Sequence, residues 1–432
     1  MRLSLLRAGT AAALSLTLAA CGQAESPADA VSLVLAGGSS GAEVEAVEAE
    51  LQRFMAANPG IRVQYLGTPS SATERHTLYV TWLSAATPTP DILNLDVIWP
   101  AEFAAAGWLL PVSEAGGPEP DLASMAPGMV AASRYRGRLV ALPWYLDAGL
   151  LYYRTDVLER LGEEPPRSTA DLVRIARAGM RAGIRYGFLW QGSQYEGLAV
   201  NFFETVWGHG GRILGEDGSV QVDSAENRRA LHFLRDLIVR ERVSPRAVLT
   251  FTEEPTRHAF QQGDAVFMRN WPYAYRLMNA PGSPTAGKFA VMPLVGIDGP
   301  GAAALGGGVL AINRHTRHPQ EARRVVEFLF GREALKRFSL KTGYAPADLN
   351  LYDDPDFREA SPMLARMKEA FLRARPRPVS PAYSALSDII QVHVSRALTG
   401  QETVSRALAA AQREIETLLR KYQPEGSGAG AG

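Results

Sequence analysis

The chain has 432 residues, and its 45 Lys and Arg residues balance 45 Asp and Glu residues, so its formal net charge is zero. A balanced charge gives no reason to expect a nucleic acid or an anionic membrane surface as a partner. The length is sufficient for two or more domains. Because there is one cysteine, no disulfide forms within the chain, and apolar burial must stabilise the fold.

The first twenty residues predict an export signal. Arg2 and Arg7 give a positive start, residues 8–18 are almost entirely apolar or small, and Cys21 follows Leu-Ala-Ala. The run is shorter than the ~20 residues of a membrane-spanning helix, and its layout is that of a cleaved signal. It is similar to the lipobox of bacterial lipoproteins, in which the cysteine receives a diacylglycerol. An ordinary signal beside an incidental cysteine is the alternative.

We therefore expect a signal peptide over 1–20, a lipid anchor on Cys21 and a flexible tether over 21–30. At the other end, residues 423–432 are rich in Gly, Ala and Ser and predict a disordered tail. The protein is then exported and faces the periplasm or the cell exterior as a membrane lipoprotein.

The next part of the chain alternates predicted strands with predicted helices. Apolar patterns predict strands over 31–35, 61–65 and 92–98. Helical spacing of apolar residues predicts helices over 44–55 and 74–86, between those strands. This order predicts an α/β domain with a largely parallel sheet.

The same kinds of element recur later, which predicts a second α/β lobe. Ser168 and Asp171 form a capping-box-like start to a helix that runs towards Met180. The further predicted elements are strands over 150–154, 264–268 and 289–292, and helices over 321–330 and 404–419.

Four segments place large aromatic residues beside carboxylates or amides near predicted strand ends. They span residues 94–100, 143–154, 190–197 and 269–273. Asp96 interrupts an apolar strand, which is unfavourable unless its carboxylate is hydrogen-bonded. A sugar needs aromatic rings for its apolar face and paired donors and acceptors for its hydroxyls, and ligands bind beyond the carboxyl ends of strands in open α/β sheets. The pattern indicates a cleft for a polar small molecule, although a single aromatic residue, taken alone, more often belongs to the core or to an interface.

Taken together, these motifs resemble the extracellular solute-binding proteins of sugar ABC importers, and most closely the trehalose/maltose-binding subgroup. The resemblance extends from about Val31 to about Tyr422, in order and with similar spacing. It is carried by Leu95-Asp96-Val97-Ile98-Trp99, Ala106-Gly107-Trp108-Leu109, Asp147-Ala148-Gly149-Leu150-Leu151-Tyr152-Tyr153-Arg154, Trp190-Gln191-Gly192 with Gln194-Tyr195-Glu196-Gly197, Asn270-Trp271-Pro272-Tyr273-Ala274 and Arg377-Pro378.

The resemblance implies an α/β, two-lobe periplasmic-binding-protein fold (type II, maltose-binding-protein-like) with a ligand cleft between the lobes. Each lobe would take two stretches of chain. We expect lobe 1 to comprise 31–143 and 288–343, and lobe 2 to comprise 144–287 and 344–422.

The resemblance also implies which residues contact the sugar. Tyr195 and Glu196 lie in a matching motif without being counted among them. The subgroup usually continues Leu-Gly-Gly with Trp, whereas this chain has Gly308, which we expect to enlarge or reshape one end of the cleft and which leaves the identity of the disaccharide open. The expected ligand-binding residues are Glu43, Arg75, Asp96, Tyr145, Asp147, Trp271, Tyr273, Gly306, Gly307 and Arg377.

The implied function is that of a lipid-anchored binding protein of an ABC importer. It would close about a hinge on an α-glucoside disaccharide of the trehalose, maltose or sucrose type and deliver it to the membrane permease. It would be a monomer. It would not be an enzyme, and it would have no cofactor, no metal and no nucleic-acid partner. The alternatives are a surface glycosidase that uses two carboxylates, a receptor for a different glucosyl conjugate, and a binding module that signals to a membrane sensor.

Two other charged groups are interpreted as surface features. Glu253 and Glu254 predict a solvated helix start rather than a catalytic pair, because adjacent side chains point in different directions. His315 and His318 lie in a basic turn with no Asp, Glu or Cys nearby to complete a metal site.

Overall fold

The computed structural model of the protein describes residues 30–39 and 41–422. The predicted signal peptide, Cys21, most of the tether and the tail over 423–432 lie outside the described residues, and these remain predictions. Within the described part of the chain, no helix is both long enough and apolar enough to cross a membrane.

Strands and helices alternate through the described residues, with short 3₁₀ turns between some of them. The strands are β1 (Val31–Gly37), β2 (Ile61–Gly67), β3 (Ile92–Asp96), β4 (Leu109–Leu110), β5 (Arg134–Tyr135), β6 (Arg138–Leu139), β7 (Leu142–Ala148), β8 (Leu150–Arg154), β9 (Tyr186–Leu189), β10 (Ala265–Asn270), β11 (Phe289–Pro293), β12 (Leu305–Asn313) and β13 (Ala345–Pro346).

The α-helices range from single turns to five turns. They are α1 (Gly41–Ala57), α2 (Ala72–Ser84), α3 (Pro100–Ala105), α4 (Pro127–Ala132), α5 (Thr155–Leu161), α6 (Thr169–Arg181), α7 (Glu196–Gly208), α8 (Ala225–Val239), α9 (Glu253–Gln261), α10 (Tyr273–Met278), α11 (Pro319–Phe330), α12 (Arg332–Thr342), α13 (Pro355–Ala360), α14 (Pro362–Arg366), α15 (Lys368–Leu372), α16 (Tyr383–Thr399) and α17 (Val404–Arg420).

The predicted elements are therefore present, with small shifts at their ends. Helix α6 begins as expected, since the Ser168 hydroxyl accepts a hydrogen bond from the Asp171 amide at 3.1 Å. Strand β3 stops at Asp96 instead of continuing to residue 98. The chain turns there, and the Asp96 carboxylate accepts a hydrogen bond from the amide of Ile98 at 3.3 Å. Asp96 is thus the end of the strand and not an interruption of it.

The first lobe is built on a seven-stranded sheet with the order β13-β7-β12-β3-β1-β2, in which β4 also pairs with β12. Strand β1 is parallel to β2 and β3, whereas β12 is antiparallel to both β3 and β7. The prediction of a largely parallel sheet is correct for β1–β3 and wrong for the remaining strands. These later strands arrive from distant parts of the chain, so no strand–helix–strand crossover sets their direction.

The second lobe is built on a four-stranded sheet with the order β11-β8-β10-β9. The chain passes from the first sheet to the second at Gly149. It returns between Pro293 and Leu305, and β13 adds a last strand to the first sheet. Strand β7 stays paired with β12 up to Ala148, and β11 stays paired with β8 up to Pro293. The lobe boundaries at 143, 287 and 343 remain predictions.

Apolar side chains cover both faces of the first sheet. On one face, Leu35 packs with residues of α1, α11 and α12, such as Leu51, Val326 and Phe338. The other face shares a larger core with the helices of the second lobe. Burial of this apolar surface is the main source of stability, and it holds the strand ends between the lobes in place.

Candidate ligand-binding site

The predicted site residues meet at the edge of the first sheet that faces the second lobe. Strand β3 ends at Asp96 and β7 ends one residue after Asp147, while the antiparallel strand β12 begins between them. Its Gly308 pairs with Asp96 and its Gly306 pairs with Asp147. The two carboxylates therefore flank the glycine-rich start of β12.

Asp147 is a buried carboxylate with an unpaired oxygen. Its residue surface is 8% exposed, and its Oδ1 atom has no hydrogen-bond partner among the described residues. Burial raises the pKa of Asp147 well above its ordinary value, the negative charge of Asp96 raises it further, and Arg269 opposes the shift. An oxygen in this position needs a donor from outside the described chain.

Arg377 joins the two lobes. Its Nη1 atom donates to Glu196 on α7 at 2.6 Å, and its Nη2 atom donates to Asp96 at 3.1 Å and to the carbonyl of Leu305 at 3.3 Å. Burial alone would lower the pKa of Arg377, but the charges of Asp96 and Glu196 raise it above its ordinary value. Its Nε atom is buried without a hydrogen-bond partner in the described part of the chain.

Glu196 connects the lobes a second time. Its carboxylate accepts hydrogen bonds from Tyr383 and Ser387, both at 2.5 Å, and its amide donates to Thr73 of α2 at 3.3 Å. Burial raises the pKa of Glu196. The neighbouring Tyr195 is buried as well. Glu196 is thus saturated by protein partners, and its contacts are those of a residue that joins lobes.

Glu43 lies in the first turn of α1 and is surrounded by donors. Its carboxylate accepts hydrogen bonds from the Gly38 amide at 3.0 Å and the Asn94 amide group at 3.3 Å. The hydroxyls of Tyr65 and Tyr344 donate to it at 3.4 Å. Burial raises the pKa of Glu43 in spite of these contacts.

Arg75 of α2 reaches towards the same edge. Its guanidinium donates to the carbonyl of Pro69 at 3.2 Å and lies 5.5 Å from the centroid of the Trp99 ring. Its Nε atom has no hydrogen-bond partner among the described residues, and its positive charge acts on Glu43 and Asp96. The site therefore holds donors as well as acceptors that lack partners.

Trp271 follows β10 and offers a half-buried ring. The guanidinium carbon of Arg269 lies 3.9 Å from its centroid, and Glu204 holds Arg269 through two bonds of 2.8 and 2.7 Å. The indole nitrogen donates to Glu253 at 3.4 Å. A Cβ atom on Gly306 would come within 3.2 Å of the ring, so the glycine allows this close approach.

Tyr273, like Trp271, is hydrogen-bonded to a glutamate in the first turn of α9. These contacts correct the interpretation of Glu253 and Glu254 as a solvated helix start. The Tyr273 hydroxyl donates to Glu254 at 2.7 Å, and Arg257 also donates to Glu254 through its Nη2 atom at 2.6 Å. Glu253 and Glu254 are both half-buried rather than a solvated helix start. Helix α9 packs against β10, so its first turn faces the aromatic rings.

Tyr145 occupies the space beside the glycine-rich strand. Its ring stacks on that of Tyr344, with centroids 4.4 Å apart and planes at 15°. A Cβ atom on Gly308 would lie 2.4 Å from Cε1 of Tyr145, and one on Gly307, whose φ is 130°, would lie 2.2 Å from the Tyr145 carbonyl oxygen. The expected enlargement of the cleft is therefore not found at Gly308, because the Tyr145 ring fills that space.

All ten predicted residues thus come to one region, although they are spread from residue 43 to residue 377. The combination of half-buried ring faces with unpaired buried donors and acceptors suits a neutral ligand with an apolar face and several hydroxyls. Among the described residues, no group of three or more His, Cys, Asp or Glu side chains could hold a metal ion.

Sequence reasoning did not assign to the site several residues that contact or support it. Asn94 and Arg269 lie within two of the four aromatic and polar segments, which could have drawn attention to them. Tyr344 and Glu204 carried no local signal, since their partners are distant in sequence. The residues missed are Tyr65, Asn94, Glu204, Glu253, Glu254, Arg269 and Tyr344.

Comparison with known proteins identifies the family. Residues 38–336 match the model of the bacterial extracellular solute-binding proteins. A Deinococcus radiodurans protein described as a probable ABC transporter-binding protein is 33% identical over 417 residues, which cover 94% of this chain and 97% of that one.

Solved structures agree with this assignment. The maltose-bound MalE3 of T. maritima is 40% identical with a TM-score of 0.86, covering 90% of this chain and 100% of that chain. The GacH receptor of Streptomyces glaucescens, at 23% identity and a TM-score of 0.82 over 91% of this chain and 100% of that one, supports the fold alone. The chain therefore belongs to the bacterial extracellular solute-binding proteins and has their two-lobe, maltose-binding-protein-like fold.

Proposed function

We propose that this protein is the lipid-anchored substrate-binding protein of an ABC importer and binds an α-glucoside disaccharide of the trehalose, maltose or sucrose type. The observation that carries the proposal is the set of unpaired buried atoms at the site, Oδ1 of Asp147 and Nε of Arg75 and Arg377. An unsatisfied buried polar group costs about 1–3 kcal/mol. Sugar hydroxyls, which both donate and accept, would remove that cost for all three residues.

The aromatic rings favour a sugar over other polyhydroxylated ligands. Trp271 and Tyr273 are half-buried, and the Arg269 guanidinium lies 3.9 Å from the centroid of the indole. The exposed parts of the two rings would stack on the C–H face of a pyranose. The MalE3 structure of T. maritima, which is 40% identical to this chain, is described as maltose-bound. This similarity supports an α-glucoside as the ligand.

The proposed mechanism is closure of the two lobes about their crossing segments. Sugar would bind one lobe first, and the second lobe would close to complete the contacts. Arg377, which bonds to Asp96 of the first lobe and Glu196 of the second, can make both bonds only when the lobes are together. Closure is then a shift of population towards the state with the additional contacts, and the permease would accept the closed form.

Calorimetric titration of the mature chain, produced without its first 21 residues, tests the proposal directly. Trehalose, maltose, sucrose and glucosylglycerol would be titrated in turn. We expect saturable binding with a stoichiometry of one to one for at least one disaccharide. The absence of binding to all four would refute the α-glucoside assignment.

The same samples test the glycosidase alternative. Glu43, Asp96 and Asp147 place three carboxylates at one site, so hydrolysis deserves a direct assay. We expect maltose and a chromogenic glucoside to remain intact during incubation with the protein. Steady release of glucose would overturn the proposal that the protein only binds.

The lipid anchor has its own test. Mass spectrometry of the protein extracted from membranes should find a diacylglycerol-modified Cys21 as the first residue. Cys21→Ser should release the protein from the membrane fraction. A Cys21→Ser protein that stays with the membrane would refute the anchor without affecting the proposal on sugar binding.

A further inference from the structure

The rings of Tyr145 and Tyr344 stack on each other and form a wall, the tyrosine wall, beside the predicted contact residues Glu43 and Tyr273. Gly308 makes this arrangement possible, because it pairs with Tyr145 across β12 and β7 and any Cβ atom on it would lie 2.4 Å from the Tyr145 ring. The stacked rings of Tyr145 and Tyr344, whose centroids are 4.4 Å apart, occupy the space that a side chain at position 308 would need.

The tyrosine wall is supported from behind by the core of the first lobe. The ring of Phe338 lies 5.8 Å from that of Tyr145 and 5.9 Å from that of Tyr344, and Trp144 stacks on Phe338 at 4.4 Å. Phe338 and Trp144 are buried, whereas Tyr344 is only half-buried. Close-packed interiors resist displacement, so the wall has little room to move away from the site.

Tyr344 also stands between residues of both lobes. Its hydroxyl donates to Glu43 of the first lobe at 3.4 Å, and its ring centroid lies 6.0 Å from that of Tyr273 in the second lobe. Gly343, at φ 83°, brings the chain so close to α10 that a Cβ atom would lie 3.1 Å from Arg276. The segment that carries Tyr344 is thus fixed against both lobes.

We infer that Tyr344 determines ligand length by closing the cleft after two sugar rings. The inference rests on the proposed function, and it explains how a chain with Gly308 still has an aromatic end to its site. A third sugar ring would have to displace a ring pair that rests on the buried Phe338. Because overpacking a well-packed site is unfavourable, a trisaccharide should bind more weakly than the disaccharide it contains.

The test compares two pairs of ligands by calorimetric titration of the mature chain: maltose with maltotriose, and trehalose with glucosyl-trehalose. In the wild type we expect the disaccharide to bind about tenfold more tightly or better than its longer partner. Tyr344→Leu removes the ring and should reduce that ratio at least several-fold, chiefly by strengthening the binding of the trisaccharide. Tyr344→Phe keeps the ring and should keep the ratio.

Tyr186→Leu is the matched control, because it removes another half-buried tyrosine ring, which lies against Arg185 at the start of β9 and is not part of the wall. It should leave the ratio unchanged. A wild type that binds maltotriose as tightly as maltose would overturn the inference without any variant. A folded Tyr344→Leu protein with an unchanged ratio, or with equal losses for both ligands, would also overturn it. Absence of all sugar binding in the wild type would instead refute the proposed function.

Discussion

Two buried charged groups lie side by side at the lobe interface and differ in one respect. The Glu204–Arg269 pair, with side chains 5% and 2% exposed, is fully engaged: Arg269 makes two bonds to Glu204 and one to Gln191, and the Ala304 amide donates to Glu204. Asp147 is equally enclosed but leaves one oxygen without a partner in the described residues. Burial alone therefore does not distinguish structural charges from those that bind ligand.

Hydrogen-bond satisfaction therefore indicates the role of a buried charge. A paired charge is stable in the free protein and contributes to the fold, whereas an unpaired one is unfavourable until a ligand supplies the partner. Substitutions in the Glu204–Arg269 pair should therefore change the free energy of unfolding, whereas substitutions of Asp147 should change the free energy of ligand binding.

The largest effect is expected from Glu204→Gln. This change removes the negative charge opposite Arg269 and leaves a buried guanidinium uncompensated, so the free energy of unfolding should fall by about 3–5 kcal/mol. Chemical denaturation monitored by tryptophan fluorescence would measure it. The control is Glu119→Gln, which breaks the half-exposed pair with Arg134 and should cost under about 1 kcal/mol. Equal effects of the two substitutions would refute the structural role of the buried pair.

The next effect is a loss of affinity in Asp147→Ala. Sugar hydroxyls that this carboxylate accepts would become unpaired, so binding of the best disaccharide should weaken by about 2 kcal/mol or more, while the fold remains intact. Titration calorimetry and thermal unfolding would give the two quantities.

Asp91→Asn is the matched control for that experiment. Asp91 is also buried, but its carboxylate is satisfied by the Val34 amide at 2.8 Å and the Thr316 hydroxyl at 2.5 Å. This substitution should reduce stability and leave the affinity of the folded protein unchanged. An Asp147→Ala protein with wild-type affinity would remove Asp147 from the site.

A smaller effect concerns pH. Since burial raises the pKa of Asp147 in the folded protein above its ordinary value of 3.8, the folded chain keeps a proton that the unfolded chain releases. The contribution of Asp147 to stability is then fully present below pH 3.8 and is lost as the pH rises towards the folded-state pKa. In the Asp147→Asn protein the side chain at this position does not titrate, so it makes no pH-dependent contribution to stability.

Thermal unfolding of the two ligand-free proteins from pH 3.5 to 8 measures this effect. The variant should gain stability relative to the wild type as the pH increases, and the gain should vanish at the acid end. Glu43, whose pKa burial also raises, is present in both proteins, and its charge acts on Asp147. A difference that is independent of pH would contradict the burial of an unpaired carboxylate.

Much of the fold was predictable because its signals are local. Apolar periodicity located β1 and α1, and Ser168 marked the start of α6. The direction of β12 was not predictable, since its partners β3 and β7 lie far away in sequence and no local pattern encodes a long-range antiparallel pairing.

The candidate site, like the fold, was predictable only where the sequence signal is local. The motifs around Asp96, Asp147 and Trp271 combine aromatic and polar residues within a few positions, so they could be found in the sequence. Tyr344 and Glu204 could not, because each matters through a partner more than fifty residues away. The consequence of Gly308 also depended on a distant residue, since only the position of the Tyr145 ring shows that the space beside it is filled.

The smallest effect should come from Ser384→Ala, which tests the lobe interface without touching the proposed sugar contacts. Ser384, at the start of α16, donates to Glu102 of the first lobe at 2.5 Å and lies 3.2 Å from Nε2 of His76. This bond exists only with the lobes together, so its loss of about 1 kcal/mol should weaken sugar binding about fivefold by disfavouring closure. Thr399→Ala, which removes a hydroxyl bonded only within α16, should bind like the wild type. If Ser384→Ala also binds like the wild type, the bond to Glu102 does not contribute to closure.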